Sequence, residues 1–111
     1  MKLSVRVIDC MYGVAASDVQ IRLHGYAEPG WHQLAVGRTG PDGWLTDWTD
    51  LALDPGTYQL VIDLDGYYAT LGTVPLHPRA IVEFRVTDPC AEMHLPLLVT
   101  ANSVLTYRDG T

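Results

Sequence analysis

Residues 54–63 read D-P-G-T-Y-Q-L-V-I-D. Asp54-Pro55-Gly56 is turn chemistry, because proline presets φ and glycine accepts conformations closed to other residues. After it, Tyr58, Leu60 and Ile62 alternate with Gln59, Val61 and Asp63. A period of two is the mark of a strand with one face buried. The alternation stops at D-G-Y-Y-A-T-L-G, residues 65–72, which ends in glycine and is expected to be one short helix.

The same grammar extends in both directions. Towards the N-terminus, residues 3–9 put Leu3, Val5 and Val7 on one face, with Lys2, Ser4, Arg6 and Ile8 on the other. Residues 18–24 alternate Val19, Ile21 and Leu23 with polar neighbours, and a strand over 31–38 is entered through Pro29-Gly30. Pro41-Asp42-Gly43 is a second turn, leading into a short strand over 44–48. Towards the C-terminus, strands are expected over 80–87, 92–98 and 101–108. Eight short strands with frequent turns predict an all-β, two-sheet sandwich with one short helix. There is no internal repeat, linker or low-complexity tract.

The chain has 111 residues, of which 48% are hydrophobic and 18% charged. That length is one domain, residues 1–111, and the apolar share is sufficient for a core without metal or disulfide support. The net charge is −6, and the seven basic residues stand singly along the chain. No basic stripe is available to neutralise phosphates, which argues against a nucleic-acid partner. No apolar run approaches the ~20 residues of a membrane helix. The start, M-K-L-S-V-R-V-I-D, interrupts with Arg6 and Asp9 where a signal peptide keeps its apolar stretch. A cytoplasmic protein is therefore expected, with Cys10 and Cys90 as free thiols rather than a bridge.

The C-terminal stretch is the most specific. H-L-P-L-L-V-T-A-N-S-V-L-T-Y-R, residues 94–108, resembles the signature of the transthyretin and 5-hydroxyisourate hydrolase family. There a His-x-Pro-Leu-Leu strand is followed by one ending Thr-Tyr-Arg-Gly-Ser, and the His94-to-Tyr107 spacing of thirteen fits without a gap. V-R-V-I-D, T-G-P-D-G-W, G-Y-Y-A-T-L-G and H-P-R-A-I-V-E-F-R-V are similar to further family segments and fall in the expected order. The resemblance implies a transthyretin-like eight-stranded sandwich and a homotetramer built as a dimer of dimers. It also implies a small heterocyclic substrate held in a central channel, a ring amide opened by water, and no cofactor.

Carried over by position, the resemblance makes His94, Tyr107 and Arg108 candidate catalytic residues. An imidazole can accept a proton from water near neutral pH, and a guanidinium offers a forked cation to an oxyanion. For His94 the competing reading is a half-buried strand histidine; for Tyr107 and Arg108 it is an exposed, frayed end. Arg6, Trp44, Thr106 and Thr111 are candidate substrate-binding positions. Arg6 stands where the hydrolases have a histidine, and Trp44 where they have an arginine. The tail runs R-D-G-T rather than Arg-Gly-Ser, leaving Thr111 as the hydroxyl available in place of serine.

These departures leave three functions in play: a hydrolase with a different cyclic substrate, a non-catalytic binder, and an orthodox hydroxyisourate hydrolase. His24, His32 and His77 fit no metal spacing, and no metal is expected. His77 is expected to be structural, Trp31 and Tyr67 to belong to the core, and Asp9 to be a strand-end residue. Ser17 and Ser103 lack the setting of an activated nucleophile.

Overall fold

The computed structural model describes residues 2–46, 48, 53–89 and 91–109. Nine strands and one helix follow one another among the described residues. They are β1 (Lys2–Asp9), β2 (Val14–Ala15), β3 (Gln20–Ala27), β4 (Gly30–Arg38) and β5 (Trp44–Leu45). After these come β6 (Gly56–Asp63), α1 (Leu64–Ala69), β7 (Arg79–Val86), β8 (Glu92–Val99) and β9 (Val104–Thr106). One sheet runs β2-β1-β8-β9, with β5 also paired to β1, and the other runs β4-β3-β6-β7. The expected sandwich is present, with β2 as an additional strand.

Alternation fills the space between the sheets. Leu3, Val5 and Val7 of β1 and Leu95, Leu97 and Val99 of β8 are buried. They face Ile21 and Leu23 of β3 and Leu60 and Ile62 of β6 across the core. Each such side chain contributes roughly 1.5–3 kcal/mol of hydrophobic stabilisation relative to exposure. The facing residues of β1 follow from this parity: Ser4, Arg6 and Ile8 are thrown to the outer side.

Four expectations are corrected. The short helix begins at Leu64 rather than 65, because the Asp63 side chain caps it by accepting from the Gly66 N–H. It ends at Ala69, and the turn beyond closes on Gly72 at φ +70°. The last strand starts at Val104 rather than 101, since Thr100, Asn102 and Ser103 bond one another in a turn. Within the strand expected over 44–48, regular structure covers Trp44–Leu45; Asp47 lies outside the described residues, as do Cys90 and Thr111. Trp31 is 39% exposed instead of in the core, its ring tilted at 47° against Tyr26 with centroids 5.3 Å apart. A bulge between Leu23 and His24 skips Leu34 in the β3–β4 register and flips the parity of everything beyond it, Trp31 included.

Asp9 is wholly buried at the end of β1. Its Oδ1 accepts from the N–H groups of Met11 and Tyr12 and from the Tyr68 hydroxyl, and its Oδ2 from the Tyr67 hydroxyl at 2.8 Å. These bonds tie α1 to the sheet that carries β1. Burial first, and the Asp9 charge and hydrogen bond next, push Tyr68 up to about 12; burial, with the Asp9 hydrogen bond after it, raises Tyr67 further.

The stability consequence has a definite sign. A tyrosine whose folded pKa lies above its unfolded value near 10 keeps its full contribution below about pH 10. The contribution is lost as the pH rises towards the folded value. The melting temperature should therefore hold to about pH 9.5 and fall steeply towards pH 12, and Tyr68→Phe should fall less steeply. Equal alkaline slopes for both proteins, read by thermal melts, would contradict this.

Candidate active site

Three strands bring three side chains to the outer face of the β1-containing sheet. Arg6 of β1 is the antiparallel register partner of Trp44 of β5, and β8 runs parallel on the other side with Ser4 opposite His94. Directly opposed residues project to the same face with Cβ atoms ~4.5–5.5 Å apart. Trp44 and His94 are stacked, with ring centroids 4.5 Å apart and planes at 29°. The Arg6 guanidinium carbon lies 5.4 Å from the Trp44 ring centroid. The result is a cation, an indole and an imidazole in one contiguous stack.

The turn at 41–43 holds this stack in place. Gly43 has φ +82°, and a Cβ there would lie 2.5 Å from the Val7 carbonyl oxygen, so no other residue lets β5 approach β1 so closely. The Gly43 carbonyl accepts from the Val7 N–H at 2.9 Å. Asp42 Oδ1 accepts from the Trp44 N–H at 3.1 Å, and the Asp42 carbonyl accepts from Arg6 Nε at 3.2 Å. One turn residue thus orients both the plate and the cation. The remaining guanidinium N–H groups of Arg6 have no partner among the described residues, so they are available to an anion.

His94 is half-buried. Its Nδ1 lies 3.3 Å from Asp109 Oδ2, and the Asp109 N–H donates to the His94 carbonyl at 2.9 Å. Nε2 is buried and has no partner among the described residues. The tail therefore meets the site through Asp109. That residue is the one the sequence reading missed, although the departure R-D-G-T from Arg-Gly-Ser was the signal for it.

The other expected residues lie apart from the stack. Thr106 pairs with the core residue Leu97, so it leaves β9 on the side away from His94, and its hydroxyl donates to the Pro96 carbonyl at 2.9 Å. Tyr107 and Arg108 are exposed, and no hydrogen bond, ion pair or ring contact among the described residues joins either of them to the stack. His77 is also exposed, and His32 Nε2 lies 3.1 Å from the Ala27 carbonyl in the β3–β4 hairpin. No group of three or more potential metal-ligating side chains occurs among the described residues. A cavity of about 560 Å³ lies on the outer face of the opposite sheet, lined by residues including Arg22, His24, Gln59 and Arg79. It is remote from the stack and contains none of its residues, so the grouping of chemistry rather than cavity volume marks the candidate site.

Comparison with known proteins agrees with this architecture. The family model described as HIUase/Transthyretin family matches residues 3–109. The 5-hydroxyisourate hydrolase of Salmonella dublin is 31% identical over 109 residues, covering 97% of this chain and 80% of that protein. The crystal structure of sea bream transthyretin in complex with thyroxine superposes with a TM-score of 0.90 at 26% identity, covering 100% of this chain and 97% of that one. That of (S)-allantoin synthase gives 0.88 at 27% identity; it covers 98% of this chain, which spans only 43% of the synthase. A family match over nearly the whole length, together with a relative above 30% identity, is decisive: the chain belongs to the HIUase/Transthyretin family.

Proposed function

We propose that this chain is a 5-hydroxyisourate hydrolase-like enzyme whose site has been altered to open a different small cyclic amide, imide or related heterocycle. The observation that carries the proposal is the stack of Arg6, Trp44 and His94 on one sheet face. Each member supplies a distinct need of amide hydrolysis. The His94 imidazole takes a proton from water as the water oxygen adds to the ring carbonyl. The carbonyl oxygen becomes an oxyanion, which the free N–H groups of Arg6 stabilise. The ring C–N bond then breaks, and the proton held by His94 passes to the departing nitrogen, so water is consumed and the imidazole is regenerated. Trp44 forms an apolar wall against the planar ring.

In this reading Tyr107 and Arg108 approach the substrate from the exposed tail, and Thr111 supplies the hydroxyl that the family's serine would. Thr106 supports that tail by holding the Pro96 carbonyl. The face carrying the stack is open in a single chain, and a homotetramer of this single cytoplasmic domain would enclose it. A different substrate would belong to a pathway other than urate breakdown, and a biosynthetic one is the expectation.

A second reading, a binding protein without turnover, is favoured by one feature. The indole covers one face of the His94 ring, as a ligand shelf would. Mass spectrometry of small cyclic amides and imides incubated with the protein separates the two. The proposal expects a product heavier by one water for at least one compound. Saturable binding with every compound recovered unchanged would overturn it in favour of the binder.

A further inference from the structure

Asp109 touches His94 twice. Its backbone N–H donates to the His94 carbonyl at 2.9 Å, forming an isolated β-bridge, and its carboxyl oxygen lies 3.3 Å from His94 Nδ1. The bridge fixes where the Asp109 side chain starts. The register from Thr106–Leu97 to Asp109–His94 puts both side chains on the outer face of the sheet. Trp44 packs against the imidazole at 4.5 Å and restricts its plane. The imidazole ring is thus restrained by its backbone, by a stacked plate and by a charge.

A neutral imidazole carries one N–H, on either Nδ1 or Nε2. With the proton on Nε2, the Nδ1 lone pair would face the Asp109 carboxylate at 3.3 Å, and Nε2, buried and unpartnered among the described residues, would be an orphaned donor. Both arrangements are unfavourable, the first by like-sign repulsion and the second by desolvation of an N–H. With the proton on Nδ1, the positive end of the N–H dipole lies beside the carboxylate, 3.3 Å away, and Nε2 keeps a lone pair. We propose that Asp109 is a positioning residue that fixes His94 in the Nδ1-protonated tautomer, so that Nε2 carries the free lone pair. The use of that lone pair rests on the hydrolase reading above; the tautomer does not. The proton His94 exchanges in turnover is then the one on Nε2, and the Nδ1 proton stays with the Asp109 pair throughout.

The test is two-bond ¹H–¹⁵N spectra of the histidine-labelled full chain at a pH where the imidazoles are neutral, for wild type, Asp109→Asn and Asp109→Ala. Both variants retain the backbone bridge. Wild-type His94 should show the Nδ1-protonated pattern, and both variants should shift towards Nε2 protonation. His24, His32 and His77 should stay unchanged as internal controls. A wild-type His94 protonated on Nε2, or an unchanged tautomer in both variants, would overturn the proposal. In parallel, kcat on a turned-over cyclic amide should fall by about 10- to 100-fold in the variants with little change in KM, the size seen when the carboxylate partner of a metal-bound imidazole is removed. A shifted tautomer with unaltered kcat would leave Asp109 as the positioning residue and remove His94 from the chemistry, so the two failures are distinguishable.

Discussion

His94→Ala is expected to lower turnover of the cyclic substrate by ~10²–10⁴-fold while leaving assembly and melting temperature nearly unchanged. The reason lies in what the side chain touches. The imidazole meets the Trp44 face and the Asp109 carboxyl, and its Nε2 bonds no other described residue. Its strand is held by the β1 and β9 ladders through backbone groups, which alanine retains. Removing the ring therefore removes a proton acceptor, and the packing lost is the contact with the Trp44 indole at the edge of the sheet face rather than any core contact. A structural histidine would behave in the opposite way, costing on the order of 1–3 kcal/mol of stability with rate per folded molecule preserved. Retained activity with lowered stability would remove His94 from the mechanism.

Much of the fold was legible because alternation is a strong local signal. Leu3, Val5 and Val7 declared the inner face of β1, and the same parity placed Arg6 on the outer one, where it lies. β2 escaped because Val14 and Ala15 are too few to display a period. The start of α1 was misplaced by one residue because Asp63 ends a strand and caps a helix at once. Trp31 was misassigned because a bulge, which no local composition announces, reverses the parity of the hairpin tip. Asp9 was legible as a strand end; its role as a buried acceptor for Tyr67 and Tyr68 depends on residues more than 50 positions away.

The site was legible in part. Arg6, Trp44 and His94 came from position in a recognised pattern, and the structure brings these three together. Thr106 was named for its place beside the tail, yet its pairing with Leu97 turns it from the stack. For Asp109 the sequence carries only the departure R-D-G-T as a mark; its contact with His94 arises when the chain after β9 folds back along β8.

Under the proposed function, Arg6 and Trp44 redirect the site away from hydroxyisourate. The resemblance implies a histidine and an arginine at these two positions. Arginine cannot serve as a base near neutral pH, so the first exchange removes a proton-transfer group, a loss of ~10²–10⁴-fold in comparable sites. The second exchange replaces a cation by an apolar plate that stacks on His94 at 4.5 Å, where a ring held by a guanidinium would have to fit. Direct competition between the two losses makes them less than multiplicative, so the range for one group is the appropriate expectation. The measurement is the rate of ultraviolet decay of freshly generated 5-hydroxyisourate, corrected for spontaneous reaction, for this protein beside the Salmonella dublin hydrolase. A kcat/KM lower than the hydrolase's by ~10²–10⁴-fold is the predicted result; a value within about tenfold of it would show that the site still serves hydroxyisourate and contradict the claim.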